Sequence, residues 1–456
     1  MLCIFRFFDK SHLKFADLQV IVVEIINKQD IVPLIKAAAS AMDPRMIQHG
    51  ARVAYFLYYL LKTEGGYSSR QTGEICMLGL LHDIGAYKTE DIDDLLVFEN
   101  KNFWEHCLYG SAFLKTLSPL SAYAPVILYH HLDYLQLKDS RCPGEMQDIA
   151  EKLYIANQLD LYFLRRGTDA GRAWFDSYAE SRFSPRNYRL MKEALAQYRL
   201  IENYRSESSA ARIDEFIAEE YLSEHLAQQY LKMMIYFIDL RSRFTVNHSI
   251  ACAAVSCTLG RFLNVSSAEM TCLYWGAYLH DIGKIAVPVS LIEKTGRLTP
   301  EEMEIVKLHV TYTEQILSPY VNPAVVKVAA RHHEKLDGSG YPHGLFEKDL
   351  SLLERVVAVA DIVSALTHER SYKRAFSEEE TLSILKANAD AGKISPLIVS
   401  IVNEHYHYVM NKARIWSEPV FKAYGRIVAE HERLKKAVAE EFPAGRLDQE
   451  RLTGVK

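Results

Sequence analysis

Five histidines and two aspartates, His248, His280, Asp281, His309, His332, His333 and Asp361, are spread through the second half of a 456-residue chain, each in an apolar helical context. A single histidine on a helix face is ordinarily a hydrogen-bonded core residue. Five imidazoles with two carboxylates are about what two hard or borderline divalent ions need, with solvent completing each shell. Adjacent residues such as His280 and Asp281 diverge by roughly 100° on a helix, so the imidazole can serve one ion while the carboxylate bridges two. Two ions about 3.5–4 Å apart lower the pKa of a bridging water and clamp a phosphoryl oxygen during in-line attack. Their charge exceeds that of the two carboxylates, and a net positive site suits a phosphodiester. Lys284, four residues after His280, adds positive charge on the same side if the helix continues; a solvated lysine at a helix end is the equal alternative.

A loop follows the histidine pair, in "RHHEKLDGSGYPHGL". Gly338 and Gly340 permit positive φ and Pro342 fixes its own φ, so the segment is shaped beyond what a helix terminator requires.

The elements that must position these residues read as helices. In "HGARVAYFLYYLLK", His49, Val53, Phe56, Leu57, Leu60 and Leu61 recur at helical spacing and place His49 on an inward face. His248, Cys252, Val255 and Leu259 repeat the pattern. Strand-like alternation is scarce, which predicts an all-α fold. The chain also repeats itself. His49 pairs with His248, His82-Asp83 with His280-Asp281, His106 with His309 and His130-His131 with His332-His333, at offsets of about two hundred residues. A weaker echo links "FSPRNYRLMKEA" to "ISPLIVSIVNEH". The order and spacing indicate a tandem duplication of one helical domain. Its boundary is expected near "RSESSAARIDEF", giving domains 1–205 and 206–456, the second led by one amphipathic helix through "EFIAEEYLSEHLAQQYLKMM".

Bulk properties narrow the function classes. A chain 49% hydrophobic and 24% charged has the make-up of a globular protein able to bury sizeable cores, and its length favours two or three domains. A net charge of −5 argues against a polynucleotide surface, which is built from many phosphate-neutralising Lys and Arg residues. Seven cysteines, an odd number without CxxC spacing, read as reduced thiols of a cytoplasmic protein. No run approaches the roughly 20 apolar residues of a membrane span, and the apolar start is interrupted by charges without a cleavage site. The expectation is no membrane partner.

With these residues in view, the second half resembles an HD-GYP domain, a branch of the HD phosphohydrolase superfamily. "HDIGK" matches the HD motif, "HHEKLDGSGYP" the HHExxDGxGYP motif at every fixed position, and "VADIVSALTHERSYKRAFS" the third signature. The likeness covers roughly residues 230–415. It implies tandem helical bundles, a binuclear iron or manganese centre, and hydrolysis of a bacterial cyclic dinucleotide, cyclic di-GMP by family default with cyclic GMP-AMP next. The resemblance assigns His248, His280 and Asp361 to one ion and His309, His332 and His333 to the other, with Asp281 bridging. It gives Lys284 a role at the phosphate or the leaving oxygen, and places Tyr341, Arg370 and Lys373 at the substrate. Two departures stand out. Phe244 occupies the position from which a Glu recruits a third metal in some members, so two ions are expected, and Ser371 stands where the family usually has proline.

The first half resembles the same HD fold without the GYP signature: after His130-His131 it runs "LDYLQLKDSRC". Ala86 answers Lys284, Asn157 answers Asp361, and Asp160 answers Ser364. An amide neither neutralises a dication nor binds it as strongly as a carboxylate, so this copy is expected to have lost catalysis. The remaining readings are a non-catalytic cyclic-dinucleotide receptor and a general HD nucleotide phosphohydrolase. A GGDEF-type synthase is a partner the resemblance admits, and a homodimer contact is one option for the amphipathic "HERLKKAVAEEF" near the C-terminus.

Overall fold

The computed structural model describes residues 25–89, 103–167, 182–203, 207–241, 247–367 and 375–443. Among them there is no strand, only two isolated antiparallel bridges, Ile26 with Val321 and Asp337 with Phe346. None of the described helices is long and apolar enough to cross a membrane. The chain packs into two compact units. The N-terminal unit runs from Lys28 to Met233 and includes residues 425–443; the C-terminal unit runs from Met234 to Tyr424 and includes residues 25–27.

In the N-terminal unit the main helices are α1 (Ile31–Met42), α2 (Pro44–Glu64), α3 (Ser69–Leu80), α4 (Trp104–Leu117), α5 (Ala124–Tyr129), α6 (Gly144–Arg166) and α7 (Pro185–Gln197). Helix α2 is central and packs on α1, α3, α6 and α7, while α4 packs on α5. Its periodic face is the one read from the sequence: Val53, Phe56, Leu57, Leu60 and Leu61 are buried together with His49. Each such apolar side chain contributes about 1.5–3 kcal/mol when fully removed from water.

Helix α8 (Glu224–Arg241) carries the chain across the division between the units. The C-terminal unit is built from α9 (His248–Phe262), α10 (Ser267–Leu279), α11 (Pro300–Leu317), α12 (Pro323–Ala330), α13 (Leu352–Thr367), α14 (Glu378–Asp390) and α15 (Pro396–Glu404), with the first part of α16 (Tyr406–Glu441). Helix α9 packs on α10 and α13, and α12 packs on α10, α11 and α13. The two helices that end in the His-Asp motif start on the same device. Ser68 with Gln71 opens α3 and Ser266 with Glu269 opens α10, each a reciprocal capping box. Thr299 and Glu302 do the same for α11, with Pro300 in its first turn.

Three findings differ from the sequence reading. The division falls at Met233–Met234 instead of near residue 205, so residues 207–233 pack with the N-terminal unit. The single amphipathic helix expected over residues 215–234 is interrupted: Glu207–Phe216 runs into a π-helical turn, Ile217–Tyr221, and Leu222 is extended. Ser223 then accepts a hydrogen bond from Leu226 N and restarts the chain as α8. The amphipathic helix near the C-terminus, read from the sequence as exposed, packs its apolar side within the N-terminal unit. Leu434 and Val438 are buried, His431 Nε2 lies 3.0 Å from Glu105, and Phe442 packs on Trp104.

Candidate metal centre

The C-terminal unit brings all seven expected ligands together. His248 is the first residue of α9 and His280 caps the end of α10, with Asp281 following. His309 lies inside α11, His332 and His333 follow α12, and Asp361 lies inside α13. Six of them are buried, His280 and His332 with no exposed surface; His333 keeps an edge open to solvent.

Asp281 holds the two sets together. Its Oδ2 lies 3.3 Å from His248 Nε2 and 3.2 Å from His280 Nε2, while its Oδ1 lies 3.4 Å from His309 Nε2. Asp361 Oδ1 closes the first set at 3.1 Å from His248 Nε2, and its Oδ2 lies 3.8 Å from His333 Nδ1. His309, His332 and His333 form the second set.

The hydrogen bonds on the far sides of the rings reveal what these sets are for. Nδ1 of His280, His309 and His332 donates to the carbonyls of Ala277, Val306 and Ala329, each at 2.7 Å. That fixes the tautomer and leaves a lone pair on every Nε2. Yet Nε2 of His309 and His332 stand 3.3 Å apart, and that of His280 lies 3.2 Å from Asp281 Oδ2. Lone pairs turned on one another and on a carboxylate repel unless a cation lies between them. Backbone carbonyls behind inward-facing imidazoles are the usual support of metal-ligating histidines, so the donor set fits divalent metal ions. The charge states agree. Burial drives the His332 imidazole well below its usual range, and takes those of His309 and His333 down to about 4 and about 3. Burial opposes ionisation of Asp281, but His280 and Lys284 outweigh it and hold the carboxyl well below the usual carboxylate range. His248 differs: burial would lower it, but its bonds to Asp281 and Asp361 raise it to about 8.

The motif glycine has a packing reason. A Cβ on Gly283 would overlap the His309 carbonyl oxygen, so only glycine lets the turn Ile282–Ala286 lie against α11. Gly85 meets the His106 carbonyl in the same way. Thr313, one turn beyond His309, completes the junction: its hydroxyl donates to His280 O at 2.9 Å and accepts from Gly283 N at 3.0 Å. Arg241 donates to Ile285 O at 2.5 Å from α8.

Lys284 does not extend the helix, because α10 ends and a 3₁₀ turn follows; its Nζ lies 2.5 Å from Asp281 Oδ2. The Tyr341 ring lies against His333, centroids 4.8 Å apart, with Lys307 Nζ 5.4 Å from the ring centre. The loop before it turns at Gly338, whose φ is +79°, and is held by Glu334, which accepts from His343 N and Leu345 N. The Tyr341–Pro342 peptide is cis. Arg370, Lys373, Ser371 and Phe244 lie outside the described residues. Sequence reasoning missed Thr313 and Lys307, and gave no role to Ser364 or to Glu334. Ser364 Oγ lies 3.2 Å from His248 Nδ1. Thr313 and Ser364 stand four and three residues after a ligand, a helical spacing that marks them as neighbours; Glu334 is a fixed position of the HHExxDGxGYP motif, and nothing comparable marks Lys307.

Comparison with known proteins follows from this geometry. Residues 232–398 match the HD domain family. The chain is 27% identical over 407 residues to the 3'3'-cGAMP-specific phosphodiesterase 1 of Vibrio cholerae, covering 85% of this chain and 94% of that protein. It is 36% identical over 177 residues to a cyclic di-GMP phosphodiesterase of Thermotoga maritima, covering 36% of this chain and 48% of that one. The crystal structure of a cyclic GMP-AMP specific phosphodiesterase of V. cholerae superposes with a TM-score of 0.51 at 19% identity, over 85% of this chain and 98% of its own, which shows that the all-helical HD-type fold is shared.

Proposed function

We propose that this chain, whose residues 232–398 match the HD domain family and which is similar in sequence to cyclic-dinucleotide phosphodiesterases, is a metal-dependent phosphodiesterase that opens a bacterial cyclic dinucleotide to the linear dinucleotide. The observation that carries the reading is Asp281, whose two oxygens face two separate histidine sets.

His248, His280 and Asp361 would hold one divalent ion, His309, His332 and His333 the other, with Asp281 between them. Bound there, the ions supply Lewis acidity to a phosphoryl oxygen and make water acidic enough to attack phosphorus at neutral pH. The mixed imidazole and carboxylate set suits iron, with manganese as the alternative. The chain's own residues do the rest. The carbonyls of Ala277, Val306 and Ala329 keep three imidazoles oriented with Nε2 inward. Lys284 keeps a positive charge beside Asp281, where it can meet a phosphate oxygen or the departing oxygen as negative charge develops. Tyr341 offers a ring beside the open edge of His333, and Arg370 and Lys373 would add positive charge from the third signature.

Of the two substrates, we favour 3',3'-cyclic GMP-AMP over cyclic di-GMP, because the relative aligned along most of both chains is named for it. We place the protein in the cytoplasm, where its buried free thiols stay reduced. Incubation of anaerobically purified, metal-loaded protein with a panel of cyclic dinucleotides tests the reading. Turnover abolished by Asp281→Ala supports it. Binding without turnover in the intact protein would make the chain a receptor instead.

A further inference from the structure

The N-terminal unit has a second histidine cluster to which the proposed hydrolysis gives no role. His49, His82 and Asp83 lie together, as do His106, His130 and His131 with Cys107. The ring tautomers are fixed as in the other unit: His82 Nδ1 donates to Gly79 O at 2.8 Å and His130 Nδ1 to Ile127 O at 2.7 Å. Each Nε2 then presents a lone pair, and each faces an anion. His82 Nε2 is 3.2 Å from Asp83 Oδ2, while His130 Nε2 and His106 Nε2 are 3.4 and 3.5 Å from Asp83 Oδ1. His82 Nε2, His130 Nε2 and Asp83 Oδ1 are buried and make no hydrogen bond within the protein. His106 Nε2 and His131 Nε2 are 3.0 Å apart. Donor separations of 3.0–3.5 Å are those of a shell whose bonds to the ion measure about 2.0–2.2 Å.

From this geometry we infer that the N-terminal unit holds one divalent transition-metal ion of its own, on His106, His130, His131 and Asp83. Three imidazoles and a carboxylate make a complete four-donor set. The buried Cys107 Sγ, 3.5 Å from His106 Nε2, adds a soft atom where the other unit has Val310.

The count is one because the opposite side of Asp83 lacks charge. Asn157 stands where the C-terminal unit has Asp361, its buried Oδ1 without a hydrogen bond. Asp160 is engaged elsewhere, 2.5 Å from His49 Nδ1 and 2.5 Å from Arg52 Nε. That leaves His49 Nε2 3.8 Å from Asp83. One carboxylate facing the cluster balances a single dication far better than two. With Ala86 in place of Lys284 and no GYP loop, the ion binds without serving turnover.

Metal analysis of anaerobically purified full-length chain tests this. A His280→Ala/His309→Ala/Asp281→Ala variant, which dismantles the C-terminal set, retains about one ion per chain; adding Asp83→Asn, or independently His131→Ala, removes it while the circular dichroism spectrum keeps its helical form. Loaded with cobalt(II), the first variant shows the strong visible absorption of a four-coordinate ion, and the further substitutions abolish it. Retention of no ion would overturn the inference and leave a proton shared between His130 and Asp83 as the occupant of the gap. Retention of two would overturn the single-ion form. The readout does not depend on activity, so it stands apart from the fate of the phosphodiesterase reading.

Discussion

Replacing Thr313 with valine isolates the clasp between the His280-Asp281 turn and the helix that carries His309. The side chain is fully buried, and its one oxygen serves two backbone groups, the carbonyl of His280 and the N–H of Gly283. Valine keeps the shape and removes the oxygen. A buried polar group left without a partner costs about 1–3 kcal/mol, so two of them cost about 2–4 kcal/mol after partial relaxation. For a unit of about 220 residues, each kcal/mol moves the melting temperature by about 2–4 °C, so the transition of this unit falls by about 5–15 °C. The same loosening uncouples His280 and Asp281 from His309, and support positions of this kind alter metal affinity about 10–100-fold. Differential scanning calorimetry and chelator competition on wild type, Thr313→Val and Thr313→Ser read both quantities. Serine retains the hydroxyl and stays close to wild type in metal affinity. A valine variant that melts within 1–2 °C of wild type, roughly 0.5 kcal/mol, or a serine variant that behaves like valine, refutes the clasp.

Other outcomes follow from the same geometry. Lys284→Met keeps the ligand set but removes the charge beside Asp281, so kcat/KM falls about 10²–10³-fold with metal content unchanged; parallel loss of metal and activity would make the lysine a structural partner only. Stripping the ions with a chelator lowers the melting transition of the C-terminal unit, because an ion held at a hundred times its Kd contributes about 2.7 kcal/mol; a transition indifferent to the chelator contradicts the metal reading. Gly85→Ala forces a methyl against the His106 carbonyl and costs the N-terminal unit about 1–3 kcal/mol, seen as a lower urea midpoint for that unit while the second unit's midpoint holds.

Much of the site was legible because its candidate ligands lie in helices or just past their ends, where helical spacing announces which face each residue shares. His49 and His248 fall on inward faces, the HD pair falls at a helix end, and the HH pair opens a shaped loop, as the periodicity and the glycines indicate. The match of Asp160 to Ser364 also carries through, since each sits at Nδ1 of the first histidine of its unit. What was hidden depends on partners distant in sequence. An apolar stripe over residues 215–234 does not announce that Ser223 will interrupt it, nor that the residues before Met234 pack with the first unit. The stripe ending in Leu434 and Val438 likewise names no partner, and only the fold reveals its cover of residues such as Trp104. Lys284 was placed by helical spacing, but the close approach at Gly283 ends the helix first and turns the lysine onto Asp281.

Anomalous diffraction at the iron and manganese edges, from crystals of anaerobically purified protein, tests the central claim most directly. The account predicts two peaks in the C-terminal unit within about 4 Å of one another, one on each side of the Asp281 carboxylate. A single peak remote from Asp281, or none among the five histidines, would contradict it.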